Sequence, residues 1–224
     1  LSGFMMISGF VDFVYNNQNW INFLISATIT LFVGMSVFLA TRGHNDQNVD
    51  LRQAFVLTTM SWVTIAFFGA LPFYLSNINL NFTDSFFESM SGITTTGSTI
   101  LISIEASPPG ILVWRSLLQW LGGIGVIVMA IAIFPMLSVG GMQLFKAENF
   151  ENPEKVVPRA TSLTRGIFII YSVLTLIWAS LLYFSGMSSF DSILHSMTTI
   201  ATGGYSTKSG SIGAFNSQLI DWII

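Results

Sequence analysis

The chain has 224 residues, of which 52% are apolar and only 8% charged, with a formal net charge of −3. Soluble domains average roughly 25% charged residues, so charges this sparse exclude a water-covered surface and suit one facing hydrocarbon. No basic patch with interleaved aromatics supports a nucleic-acid partner, and the absence of cysteine removes disulfide frameworks and thiolate metal sites.

In chain order, the apolar segment from Phe4 to Tyr15 is short, the end of a truncated spanning helix or else an interfacial helix or signal remnant. Asn16 to Asn19 form a polar break. Trp20 to Ala40 is a full-length span with an aromatic at its interface end. A hydrophilic loop from Arg42 to Arg52 leads to a second span, Ala54 to Leu75, with Pro72 near its end. Phe82 to Met90 is amphipathic and short. About ten helical residues cover ~15 Å, half a bilayer, so this segment lies on the surface or enters and returns. Ser91 to Thr99 is rich in hydroxyls and glycine. Ile111 to Leu137 is again a long apolar helix, interrupted by Gly122, Gly123 and Gly125. Gly140 to Arg165 is hydrophilic, Gly166 to Phe184 spans, Ser188 to Met197 is short and amphipathic, and Thr198 to Thr207 repeats the hydroxyl and glycine bias. The apolar sequence at Leu1 and the short run Leu219 to Ile224 lead us to expect a fragment, with more helices following.

Six of the eight basic residues fall in two loops: Arg42 and Arg52 in one, Lys146, Lys155, Arg159 and Arg165 in the other. The positive-inside rule makes both loops cytoplasmic. They share a side only if the first short segment, Phe82 to Met90, re-enters rather than crosses. Helix length and charge therefore agree on re-entrance.

The succession of span, short helix, hydroxyl-rich loop and span occurs twice. At a constant offset of 107 residues, Asp84 falls on Asp191, Ser85 on Ser192, Ser89 on Ser196, Met90 on Met197, Thr95 on Thr202 and Gly97 on Gly204. Non-helical backbone at membrane depth is tolerated only where protein buries it or where it lines a wet cavity. Two such loops at one axis pool carbonyl oxygens that can replace the water shell of a potassium ion. The negative C-terminal ends of their short helices favour a cation there, and glycine lets the carbonyls face inward.

The run Thr94-Thr95-Thr96-Gly97-Ser98-Thr99 after Phe86-Phe87-Glu88-Ser89-Met90-Ser91-Gly92 resembles the first pore loop of the TrkH/KtrB superfamily of potassium transporters. The likeness continues through Gln119-Trp120-Leu121-Gly122-Gly123-Ile124-Gly125 and Gly140-Gly141-Met142-Gln143-Leu144. It resumes at Phe190-Asp191 and Gly203-Gly204-Tyr205-Ser206-Thr207, covers about residue 50 to the end, and is closest to the TrkH branch.

The resemblance implies an all-α polytopic membrane protein built from repeated helix–re-entrant pore loop–helix units, four around one pore. Residues 1–50 would be N-terminal helices and a cytoplasmic loop, 51–140 the first unit, and 141–224 a cytoplasmic loop and a truncated second unit. The implied filter residues are Thr95, Thr96 and Gly97 in the first loop, and Thr202, Gly203 and Gly204 in the second. Gly203 stands where the first loop has a threonine, and a one-residue shift would bring in Ala201. Potassium would sit at Thr95, Thr96, Ala201 and Thr202. The family's gating loop and conserved arginine lie in later units, absent from this sequence. The implied function is potassium uptake across a bacterial inner membrane, with a sodium-permeable or sodium-coupled relative as the alternative. The implied partners are a second copy in a homodimer, a cytoplasmic ring of TrkA-like nucleotide-binding subunits, and membrane lipid. Potassium is the cargo, and no cofactor is expected.

Glu88 and His195 occupy equivalent places in the short helices and are read as structural, bonding loop backbone behind the filter or facing water. Asp84 and Asp191 suit the positive ends of those helices. Arg115 is expected to snorkel to the outer interface, the other option being to brace the loop through Glu88 or Glu105. The glycines at 122, 123 and 125 are read as close-packing positions rather than a hinge. No nucleophile set, HExxH motif or phosphate loop is present. An intramembrane enzyme centred on His195 is the remaining reading from a different class.

Overall fold

The structure is a computed structural model that describes residues 1–42, 51–137 and 156–224. Most of both long hydrophilic loops, including His44, Lys146, Lys155 and the motif at 140–144, therefore lies outside the described residues. Helices α1 (Ser2–Val14) and α2 (Trp20–Thr41) form a hairpin. Its turn places Asn16 in the left-handed region at φ 54°, a conformation asparagine tolerates better than most residues.

Helix α3 (Leu51–Gly69) breaks at Ala70 and resumes as α4 (Leu71–Leu75). The break has a covalent cause, since Pro72 has no N–H to continue the ladder. The freed end is held from outside, where Trp114 Nε1 donates to the Gly69 carbonyl at 2.9 Å.

Next come the short helix α5 (Phe82–Ile93) and the long helix α6 (Pro109–Leu137), followed by α7 (Val156–Phe184), a second short helix α8 (Ser189–Ile200) and α9 (Gln218–Ile223). Helix α7 starts within the stretch expected to be hydrophilic loop. Pro158 does not prevent this, because the first turn of a helix has no partner for its N–H groups.

Among the described residues, four helical stretches are long and apolar enough to cross a membrane: Trp20–Thr41, Arg52–Leu75, Pro109–Ala130 and Leu163–Phe184. Half of the third is buried within the protein, against 17% of each of the others. Helix α6 is therefore the central post, with α1, α5 and α8 packed on it, while α2, α3 and α7 turn large apolar side chains such as Phe32, Leu57 and Leu176 outward.

Glycine permits the tight approach to α6. A Cβ on Gly122 would collide with the Ile93 carbonyl at the end of α5, and one on Gly123 would crowd the Tyr171 hydroxyl and Ala201. At these two positions the close-packing reading holds.

The N-terminal hairpin is locked to α6 by a buried carboxylate that no sequence pattern flagged. Asp12 accepts from the Gly110 N–H at 2.6 Å and from Asn19 Nδ2 at 3.0 Å. It thereby caps the first turn of α6, where unpaired N–H groups and the helix dipole favour an anion.

Candidate functional site

Both short helices begin alike. The Asn81 side chain accepts from the Asp84 N–H at 2.9 Å, and Ser188 accepts from the Asp191 N–H at 3.1 Å, each an N-cap bond. Asp84 and Asp191 stand in the first turns, as expected for carboxylates at a positive helix end.

They also end alike. Thr95 N donates to Gly92 O at 3.0 Å and Thr96 N to Ser91 O at 3.0 Å; the counterparts are Thr202 N to Thr199 O at 2.9 Å and Gly203 N to Thr198 O at 2.8 Å. Thr95 and Thr202 have φ of 56° and 53°, and Gly97 and Gly204 have φ of 79° and 80°. The offset of 107 residues is thus repeated bond by bond and angle by angle. In this register Ala201 is the helix C-cap and the counterpart of Thr94.

A left-handed backbone is uncomfortable for threonine, costing about 1–2 kcal/mol. It persists where surrounding bonds over-determine it, which is common at functional sites. Left-handed residues stand at alternate positions in both loops, with negative φ at Thr96 and Gly203 between them, a pattern that regular strands do not show.

The two loops meet. A Cβ on Gly97 would overlap the Gly203 carbonyl, and a Cβ on Gly203 would overlap the Gln119 side chain. Thr96, Thr202 and Gly204 are exposed, Thr95 and Gly97 partly so, and Ala201 and Gly203 are buried. A cavity of about 270 Å³ lies beside the second loop, its lining including Thr198, Thr202, Gly204 and Ser206.

A buried polar network stands behind the loops. Arg115, on α6, is 1% exposed and pairs with Glu88 at 2.8 Å, so it does not snorkel. Burial among α5 and the second loop gives its charge a fixed partner instead. Arg115 Nη1 also donates to Ser206 O at 3.3 Å, and its guanidinium lies 4.0 Å from the centre of the Tyr205 ring. Glu88 accepts from the Thr99 hydroxyl at 2.9 Å and the Ile100 N–H at 3.1 Å. The Tyr205 hydroxyl donates to Glu88 O at 2.9 Å and Ser98 O at 3.3 Å.

His195, at the place equivalent to Glu88, has Nδ1 2.9 Å from the Asp191 carbonyl and Nε2 3.1 Å from the Ser206 hydroxyl. A carbonyl only accepts, so Nδ1 carries the proton. Glu88 thus supports loop backbone at the Ile100 N–H, whereas His195 links its own helix to the Ser206 hydroxyl of the loop.

Farther along, Glu105 accepts from the Ser209 N–H at 2.7 Å and from its hydroxyl at 2.5 Å. These bonds hold the Glu105 carboxyl below its usual range and clasp the two connecting segments together. Sequence reasoning assigns no role to Asp12, Gln119 or Tyr205. One signal was available: Arg115 and Gln119, four apart in an apolar helix, fall on one face, and polar side chains in such helices normally face protein.

These features define a polytopic α-helical membrane protein with a twice-repeated re-entrant loop. A family model described as TrkH, cation transport protein, matches residues 19–224. The chain belongs to this TrkH cation transport family. It is 41% identical over 227 residues to the Trk system potassium uptake protein TrkH of Escherichia coli K12, covering 100% of this chain and 47% of that protein. It is 49% identical over 166 residues to the Trk system potassium uptake protein TrkI of Halomonas elongata, covering 74% of this chain and 34% of that one. The crystal structure of the potassium transporter TrkH from Vibrio parahaemolyticus superposes with a TM-score of 0.86 at 34% identity, covering 99% of this chain and 44% of that chain. The chain spans about half the length of the curated relatives it matches.

Proposed function

We propose that this chain supplies two of the re-entrant loops of a potassium uptake pathway in a bacterial inner membrane. The observation that carries the reading is the contact of Gly97 with the Gly203 carbonyl, between two non-helical loops of the same alternating-handed backbone. Irregular backbone at membrane depth needs a protein or water-lined setting, and carbonyl and hydroxyl oxygens suit a dehydrated alkali cation.

In this reading Thr95, Thr96 and Gly97 of the first loop and Thr202 and Gly204 of the second line the path. Gly203 shapes it from behind, and Ala201 closes the helix that precedes it. The two units comprise α3 to α6 and α7 to α9. The N-terminal hairpin braces the first unit through Asp12. A second copy of the protein and a TrkA-like nucleotide-binding ring are the proposed partners. An enzyme centred on His195 has no support in the family, and both its ring nitrogens already bond loop atoms or the helix.

The test is potassium uptake by the protein expressed from its complete reading frame, in cells lacking other uptake systems, with and without Gly97→Ala. Substitution there forces a side chain onto a backbone at φ 79° and into the Gly203 carbonyl. The expected result is failure to grow at low potassium and a lost preference for potassium over sodium. Unchanged preference would sink the assignment of the loops, and uptake of sodium by the unmodified protein would favour the sodium-permeable alternative.

A further inference from the structure

The two loops share a backbone but do not present the same atoms. Thr96 is exposed, whereas Gly203, in the same place between two left-handed residues, is buried. The difference traces to one side chain. Gln119 lies fully buried on α6, four residues beyond Arg115. Its Nε2 donates to Gly203 O at 2.8 Å, while its Oε1 accepts from Tyr205 N at 3.2 Å.

The partners fix the amide's orientation, because a carbonyl can only accept and an N–H only donate. One rigid plane thus holds the peptide groups on both sides of Gly204. The lack of a side chain at Gly203 is what admits it, since a Cβ there would overlap the Gln119 amide. The Gly203 oxygen also rests against Gly97. That carbonyl is occupied from two directions.

Resting on the proposed ion pathway, we propose that Gln119 is a positioning residue that withdraws the Gly203 carbonyl from the path and fixes the orientation of the peptides flanking Gly204. The second loop then offers the oxygens of Thr202 and Gly204, while the first also offers that of Thr96. At this level the pathway is asymmetric by one oxygen. The asymmetry is imposed by a helix of the first unit acting on the loop of the second. It also accounts for a glycine where the first loop has Thr96, because any side chain at 203 would expel the clamp.

The experiment compares Gln119→Glu and Gln119→Met in the protein expressed from its complete reading frame. Glutamate keeps the shape and the acceptor for Tyr205 N but loses the donor to Gly203 O; methionine keeps the volume and loses both. The readouts are the amount in the membrane, the potassium concentration for half-maximal uptake, and the preference for potassium over sodium. Both variants are expected to reach the membrane and to shift half-saturation or preference by roughly tenfold, the scale of one buried hydrogen bond.

Wild-type half-saturation and preference in both variants would overturn the proposal. So would a change confined to maximal uptake, or loss of both variants from the membrane, since each assigns Gln119 to packing alone. Gly97→Ala run in parallel separates the two ideas. If it destroys preference while the Gln119 variants do not, the positioning role fails and the pathway stands. If it leaves preference intact, the pathway itself fails.

Discussion

Arg115 Nε donates to Glu88 Oε1 at 2.8 Å between side chains 1% and 0% exposed, so a single buried ion pair ties the central helix α6 to the short helix α5. Burying both charges is costly, and removing one partner strands the other without water. Glu88→Gln or Arg115→Met alone should therefore lower stability by about 3–5 kcal/mol. The double substitution should cost clearly less than the sum, because no isolated charge remains. Chemical unfolding of the four proteins in mild detergent measures this coupling. Additive effects would show that the pair is not a unit.

The membrane class, the helix order and the repeat were legible because each rests on a local pattern. Apolar runs of full length mark spans, and the constant offset from Asp84/Asp191 to Gly97/Gly204 marks the repeat. The partners of polar side chains were not legible, since they depend on which helix faces which. Arg115 illustrates this. Its position near the start of an apolar helix fits snorkelling equally well until α5 is seen to deliver Glu88 to it. Asp12 and Gly110 lie far apart in sequence, and nothing near either residue announces a cap. Gln119 lies in the motif Gln119-Trp120-Leu121-Gly122-Gly123-Ile124-Gly125, but its role depends on where the fold brings Gly203.

Asp12 joins the N-terminal hairpin to α6 through Gly110 N and Asn19 Nδ2. Losing a side-chain cap costs about 0.5–2 kcal/mol, and Asp12→Ala would also leave the Gly110 N–H unpaired. The variant should melt several degrees below the parent. Asp12→Asn, which keeps an acceptor for one donor, should fall between them. Equal melting of all three would remove the cap from any role in stability.

Two glycines on spanning helices should respond in opposite ways to alanine. At Gly122 the new methyl meets the Ile93 carbonyl, whereas at Gly34 nothing lies within 4 Å. Gly122→Ala should destabilise by about 1–3 kcal/mol through overpacking. Gly34→Ala should be neutral or stabilising by up to about 1 kcal/mol, since alanine loses less backbone freedom in a helix. Thermal melts of both variants in one detergent check the pair. A stable Gly122→Ala protein would mean that the α5–α6 contact can yield.

The clasp between the connecting segments should open in acid. Bonds from the Ser209 hydroxyl and N–H favour the charged form of Glu105 and hold its carboxyl below the ordinary 4.5. A carboxyl depressed on folding contributes stability that is present above its ordinary value. That contribution is lost as the pH falls below 4.5 and through the depressed value, where protonation removes the acceptor charge. Hydrogen exchange at the Ser209 amide, corrected for its intrinsic rate, should show protection at neutral pH that declines only in that acid window. Glu105→Gln keeps an amide oxygen in place of the charge and should show weaker protection with no such decline. Protection unaffected by either acid or Glu105→Gln would mean that the segments are held by something other than this carboxylate.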